Sequence, residues 1–69
     1  MAQDQSDQLT EVIRERRKTL RMTQEELSTL AGCNPLVVYK LEKGDTRVRL
    51  QSFLAIVTAL GLKVEIADS

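Results

Sequence analysis

The first run of apolar residues at helical spacing predicts a helix that begins near residue 9. Its stripe consists of Leu9, Val12, Ile13 and Leu20, and a helix of about 3.6 residues per turn brings such positions to one side. Ser6 or Asp7 is available as the N-cap of this helix. The preceding residues 1–8 are polar and are predicted to be a flexible N-terminal tail.

Two short helices, joined by a turn that contains glycine, are predicted next. Thr23 precedes Glu26 at the spacing of a capping box, and Leu27 and Leu30 supply the apolar stripe of the second helix until Gly32 ends it. The turn that follows is short. The second and third helices therefore form a compact helical hairpin.

The third helix has start and stop signals of its own. Asn34 is a good N-cap, Pro35 suits the first helical position, and Gly44 is expected to close the helix. On a helical wheel Val38 and Leu41 point the same way. The opposite side carries Leu36, Tyr39, Lys40 and Lys43.

The fourth helix is the most apolar of the predicted set and is expected to be the main support of the core. Its stripe consists of Leu50, Phe53, Leu54, Val57 and Leu60, and Gly61 ends it.

After Gly61 the pattern changes to alternation, which is typical of a half-buried strand. Leu62, Val64 and Ile66 alternate with other residues in the tail 62–69. Nothing else in the chain predicts a strand, so we expect this one to pair with the same strand of a second copy. A frayed C-terminal tail is the alternative.

Composition limits the chain to a single small domain in need of extra support. A chain of 69 residues cannot build two cores, and small domains often add disulfides, metals or a second subunit. Cys33 is the only cysteine and there is no histidine, which excludes an internal disulfide and disfavours a zinc site. A homodimer is therefore expected.

The formal net charge is zero, but the basic residues are clustered. The clusters are Arg14, Arg16, Arg17, Lys18 and Arg21, and then Lys40, Lys43, Arg47 and Arg49. A basic face that binds phosphates is thus compatible with a neutral chain. No secretion signal and no run of membrane-spanning length occurs, so a cytoplasmic protein without a membrane partner is expected.

The segment "RRKTLRMTQEELSTLAGCNPLVVYKLEKG", residues 16–44, resembles the phage-repressor-type (XRE/Cro-like) helix-turn-helix family. The hallmark of that family is an arginine ahead of a "TQxELA" helix, then glycine, then a helix ending in "LExG", and the match extends to about Gly61. The resemblance implies an all-α, compact four-helix bundle of the lambda-repressor-like DNA-binding type over residues 9–61. The tail adds a similarity to the antitoxin repressors of HipA-type kinase toxin systems, which dimerise partly through a C-terminal strand.

The resemblance also implies roles for residues around the second helix. It assigns Gln24 to a DNA phosphate and lets Thr23 touch the DNA backbone, although a capping box alone accounts for Thr23. Arg17 and Glu42 match an internal salt bridge, which makes Glu42 structural rather than catalytic. Relatives often have glycine at the position of Arg21, so the first helix is expected to end differently here.

The outward side of the third helix meets bases and phosphates in the family. Lys40 is expected to donate to guanine, Tyr39 to reach a phosphate or a base edge, and Leu36 to contact a thymine methyl. Asn34 and Pro35 lie at the leading end. Because Pro35 and Leu36 cannot hydrogen-bond bases, direct readout depends chiefly on Lys40 and Asn34, with shape readout and phosphate contacts supplying the rest.

Lys43, Arg47 and Arg49 are expected to bind phosphates beside the third helix. A merely solvated loop is the alternative for these three residues. Cys33 occupies a position that the family gives to a small apolar residue, and a structural thiol is expected there.

The leading hypothesis is a transcriptional repressor that binds an operator in double-stranded DNA as a homodimer, in the setting of an autoregulating antitoxin that holds a HipA-type kinase toxin. The second hypothesis is a protein-interaction module that binds a protein through Leu36 and Tyr39. An enzyme is not expected, because the chain lacks histidine, paired pocket acids and a phosphate-binding glycine loop, and no cofactor is expected either.

Overall fold

Four helices follow one another along the described part of the chain. The computed structural model describes residues 5–45 and 47–66, and the helices are α1 (Gln5–Thr19), α2 (Gln24–Ala31), α3 (Pro35–Glu42) and α4 (Leu50–Ala59). The predicted number and order of helices are confirmed. The main packing contacts join α2 to α3 and α4, while α1 packs chiefly against α3.

The first helix begins earlier than predicted. Ser6 and Asp7 lie inside α1, so neither residue is its N-cap. The predicted tail 1–8 thus overlaps α1 at residues 5–8, and residues 1–4 lie outside the described part of the chain. Residues 5–8, the first turn of α1, are all polar. The apolar stripe from which the start of the helix was predicted therefore does not extend into this turn.

The core is a single cluster at the junction of the four helices. Its buried apolar members are Ile13, Leu27, Val38, Leu41, Ile56, Val57 and Leu60. The prediction that Val38 and Leu41 of α3 point inward is confirmed, since they are 0% and 5% exposed. Phe53 and Leu62 are partly buried and pack against the same cluster.

Several apolar residues that were predicted to line the core are instead exposed. They are Leu9, Val12 and Leu20 of the first stripe, Leu30 of the second, and Leu50 and Leu54 of the fourth. In a chain this small, the neighbouring helices cover only part of each apolar stripe. Each helix therefore buries the residues at the centre of its stripe and leaves those at the edges exposed. On α4 the buried residues include Ile56, which was not predicted and is 0% exposed.

All four helices end in a left-handed residue. At three ends the residue is Gly32, Gly44 or Gly61, but at the end of α1 it is Arg21, with φ 57°. Met22 N–H donates to the Arg17 carbonyl at 3.1 Å, which closes the turn. The prediction that α1 would end differently without glycine is therefore wrong, because the closing hydrogen bonds outweigh the strain of a left-handed arginine.

The C-terminal end of α4 is tied to α1 by a side chain. Arg16 Nε donates to the Leu60 carbonyl at 3.0 Å, and this carbonyl belongs to the last turn, where helical acceptors lack backbone partners. The bond links two helices that otherwise pack mainly on others.

The tail after α4 is irregular in the single chain. Residues 62–66 form no strand, and no strand occurs elsewhere in the described ranges. The strand predicted over 62–69 is thus not formed at residues 62–66, since the described ranges contain no second strand to supply backbone partners. Residues 67–69 lie outside the described part. Val64 is 42% and Ile66 94% exposed.

None of the described helices is both long enough and apolar enough to cross a membrane.

Candidate nucleic-acid interface

An ion pair between α1 and the end of α3 anchors the candidate site. Arg17 Nε donates to Glu42 Oε2 at 2.7 Å and Arg17 Nη2 to Glu42 Oε1 at 2.9 Å. Arg17 Nη1 also donates to the Met22 carbonyl at 2.8 Å. The two side chains are 13% and 4% exposed, so the predicted pair is present as a two-pronged contact that water barely reaches.

Gln24 joins this pair at the start of α2. Its Nε2 donates to Glu42 Oε1 at 3.1 Å. A side-chain amide has two N–H donors, so one remains for a phosphate after this bond is made. Glu42 therefore fixes the orientation of both Arg17 and Gln24, and the phosphate contact assigned to Gln24 stays a prediction.

The start of α2 has the predicted capping box. Thr23 N–H donates to Glu26 Oε1 at 2.8 Å, and Glu26 N–H donates to Thr23 Oγ1 at 3.0 Å. Leu27 N–H makes the first helical bond, to the Thr23 carbonyl. The N–H groups of Gln24 and Glu25 accordingly have no acceptor within the described ranges, and such groups at a helix start favour an anion.

The outward side of α3 is accessible as predicted. Leu36 is 52% and Tyr39 47% exposed, and Lys40 and Lys43 are exposed as well. Lys43 Nζ lies 5.5 Å from the centroid of the Tyr39 ring, which is within the range of a cation–π contact. Val37 is half-buried at the margin of the core.

A cavity of about 590 Å³ lies beside α3, between the turn that precedes it and the loop that follows it. Asn34, Lys40, Arg47 and Arg49 line it, so four of the predicted DNA-binding residues share one concave surface. Asn34 Oδ1 accepts from Leu36 N–H at 2.8 Å as the N-cap. That bond leaves the Asn34 amide N–H groups available as donors.

The same cavity contains a carboxylate that sequence reasoning missed. Asp45 Oδ1 accepts from Arg47 Nε and Asp45 Oδ2 from Arg47 Nη2, each at 3.1 Å. Asp45 Oδ1 also accepts from Arg47 N–H at 2.9 Å. The signal was available in the sequence, because an aspartate two residues before a loop residue commonly accepts from that residue's backbone N–H.

The pKa values of several groups respond to these surroundings. Burial raises the pKa of Glu42, but hydrogen bonds from Arg17 and Gln24 and the nearby positive charges outweigh it, so the pKa lies below its ordinary value. Hydrogen bonds from Arg47 lower the pKa of Asp45. Burial raises the pKa of Cys33, which is half-buried and packs against the core as a neutral thiol.

The remaining predicted residues lie at the start of α3 and in the C-terminal tail. Pro35 starts α3 at its exposed leading end. Leu62, predicted for dimerisation, packs against the core of its own chain, whereas Val64 and Ile66 do not belong to that core. Within the described ranges no group of His, Cys, Asp and Glu is arranged to hold a metal ion.

Comparison with profiles of protein families matches residues 13–66 to a helix-turn-helix family. The matched range covers α2, α3 and α4 completely, together with the C-terminal half of α1 and the irregular tail to residue 66. Comparison with curated proteins finds no match.

Proposed function

Because the chain belongs to the phage-repressor-type (XRE/Cro-like) helix-turn-helix family of DNA-binding transcription regulators, we propose that it is a sequence-specific repressor. Members of this family are generally not enzymes. Repression follows from occupation of a promoter, since a bound domain in the major groove blocks access to the DNA.

The exposed side of α3 is the observation that carries the proposal. Its core-facing residues are buried, whereas Leu36, Tyr39 and Lys40 are exposed. The B-DNA major groove accepts one helix, and in this arrangement α3 enters it while the start of α2 lies across the phosphates. Lys40 then donates to guanine, and Leu36 contacts a thymine methyl group.

Phosphate contacts flank this helix on both sides. Thr23 and Gln24 approach the backbone at the start of α2, where two backbone N–H groups are available. Lys43, Arg47 and Arg49 approach it from the other side of α3, and each phosphate that is neutralised steepens the salt dependence of binding. Asn34 adds a side-chain donor at the leading end of α3.

The same reasoning favours a dimer on a two-part operator. Val64 and Ile66 occupy alternate positions of the tail and are exposed. Pairing of this tail with the tail of a second copy gives the backbone N–H and C=O groups of both segments hydrogen-bond partners. A two-fold dimer places two α3 helices in successive major grooves, with half-sites about 34 Å apart.

The biological setting that we propose is an autoregulating antitoxin that binds a HipA-type kinase toxin. The support is the order of four helices followed by an alternating tail, which is similar to such antitoxins. Copurification with the kinase-like product of an adjacent gene tests this setting. An adjacent gene of another kind, or a kinase-like product that does not bind, contradicts it without affecting DNA binding.

The DNA-binding proposal is tested by titration of labelled promoter DNA from the protein's own gene, with scrambled DNA of the same length as the comparison. Lys40→Ala is expected to weaken promoter binding by about 1–3 kcal/mol and scrambled-DNA binding by less, because a base contact is lost. Lys18→Ala, at an exposed lysine of α1, is the control for the loss of one charge.

Equal losses on both DNAs would show that Lys40 contacts only phosphate. A folded protein that binds neither DNA would refute the proposed function and would leave protein binding through Leu36 and Tyr39 as the role of α3.

A further inference from the structure

A negative side chain lies within the positive surface beside α3. Among the described residues that line the 590 Å³ cavity, Asp45 is the one carboxylate and Lys40, Arg47 and Arg49 are the cations. Lys40 is close enough to act electrostatically on Asp45. A carboxylate at this position repels the phosphates that the surrounding cations attract.

Asp45 is held in place while its partner is free to leave. Asp45 N–H donates to the Lys40 carbonyl at 3.0 Å, which fixes the backbone of Asp45 to the end of α3. The Asp45 side chain is 19% exposed, whereas that of Arg47 is 88% exposed. Arg47 can thus turn toward an incoming anion without a change in the fold.

The Asp45 carboxylate binds the Arg47 guanidinium in the same geometry that a phosphate would use. It receives two parallel N–H bonds from the guanidinium, which is the arrangement that arginine also makes with phosphate oxygens. An exposed pair of this kind is weak, so a phosphate held at hydrogen-bonding distance can replace the carboxylate.

We propose that Asp45 competes with DNA phosphate for Arg47 and thereby makes binding more selective. The inference rests on the proposed DNA-binding function and adds a specificity-determining residue to it. In a close-fitting complex with the cognate sequence, the DNA backbone is held against Arg47. The Arg47 guanidinium then leaves the Asp45 carboxylate and binds a DNA phosphate. In a looser complex with other sequences Arg47 stays on Asp45 and adds nothing to affinity.

Asp45→Asn tests the proposal, because the amide oxygen keeps the bond from Arg47 N–H while the ion pair is lost. We expect affinity for scrambled DNA to rise about two- to fivefold, the range that a weak surface pair allows. The salt slope on scrambled DNA should steepen by about 0.9, equivalent to one additional phosphate contact. Affinity for the cognate promoter should rise less, so the ratio between the two DNAs falls.

Glu15→Gln is the matched control, since it removes one negative charge from an exposed position of α1 outside the cavity. If both variants raise affinity equally on both DNAs, Asp45 acts only through net charge and the proposal is overturned. If the parent protein binds no DNA, the proposed function itself fails, which is a different result.

A second pair of variants isolates Arg47. In an Arg47→Gln background, Asp45→Asn should change scrambled-DNA affinity and its salt slope no more than the control does, because the guanidinium for which Asp45 and phosphate compete is gone. A rise equal to that in the parent protein would show that Asp45 does not act through Arg47 and would overturn the proposal.

Discussion

At the scale of single residues, Arg21 shows how a local cost is tolerated. Its φ of 57° places a non-glycine side chain in the left-handed region, which costs about 1–2 kcal/mol. The side chain is exposed, so it gains little from packing in return. The turn is imposed by the hydrogen bonds that close α1 and lead the chain into α2.

Arg21→Gly is expected to stabilise the protein by about 0.5–1 kcal/mol, since relief of strain exceeds the greater freedom that glycine gives the unfolded chain. Chemical unfolding followed by circular dichroism measures the change. Lys18→Gly, inside α1, should instead destabilise by about 1 kcal/mol. A loss of stability in Arg21→Gly would mean that the arginine makes a contribution greater than the strain.

At the scale of elements, Glu42 connects three helices at one buried point. It accepts from Arg17 of α1 and from Gln24 of α2 while belonging to α3. Removing one member of such a buried pair leaves the other charge uncompensated. The position of α2 relative to α3, on which the candidate interface depends, is thus coupled to the ionisation of a single carboxylate.

Glu42→Gln is expected to destabilise the protein by about 2 kcal/mol or more at neutral pH. Because the folded-state pKa of Glu42 is lowered, its contribution is present above the ordinary value of about 4.3 and is lost as pH falls through the folded value. The variant should therefore lose less stability than the parent between neutral and strongly acidic pH, as measured by unfolding at a series of pH values.

Glu11→Gln provides the comparison, since Glu11 pairs with Arg14 on the exposed surface of α1 and should change stability by less than about 1 kcal/mol. Similar effects of the two substitutions, or parallel pH curves for Glu42→Gln and the parent, would contradict a special role for the buried pair.

The helices were predictable because their signals are local. The capping box at Thr23, the cap at Asn34 and the closing glycines act within a few residues of each other, and the structure has these features. The buried faces were less predictable. Leu50 fits the stripe of α4 but is 70% exposed, because burial depends on which helices lie opposite and a single stripe does not specify that.

The candidate site was predictable to a similar extent. Positions on the outer side of α3 follow from helical spacing, and the pair of Arg17 with Glu42 follows from the family resemblance. The contact of Gln24 with Glu42 and the approach of Asp45 to Lys40 depend on how α2 and the loop after α3 sit against α3. Such placements are properties of packing rather than of local sequence.

At the scale of the whole molecule, apolar surface remains uncovered on the single chain. Leu9, Leu50 and Phe53 line an apolar cavity of about 210 Å³ between α1 and α4, and Ile66 is 94% exposed on the tail. For a chain of 69 residues this is a considerable amount of unburied apolar surface, and burial against a second copy would stabilise the fold.

Ile66→Ser tests the proposed pairing of tails with little risk to the fold, because Ile66 is almost fully exposed in the single chain. If the tails pair, the side chain is buried only in the dimer, and its loss should weaken dimerisation by about 1–3 kcal/mol. Sedimentation equilibrium should then show a larger monomer fraction for Ile66→Ser than for the parent.

Glu65→Ser, at the neighbouring exposed position on the other side of the alternation, should leave the association constant nearly unchanged. Equal average masses for the parent and both variants would exclude the tail from the dimer contact. Equal weakening by Ile66→Ser and Glu65→Ser would exclude pairing of the tails as strands, since in a strand only one of these two neighbouring side chains lies on the face that meets the partner's apolar side chains.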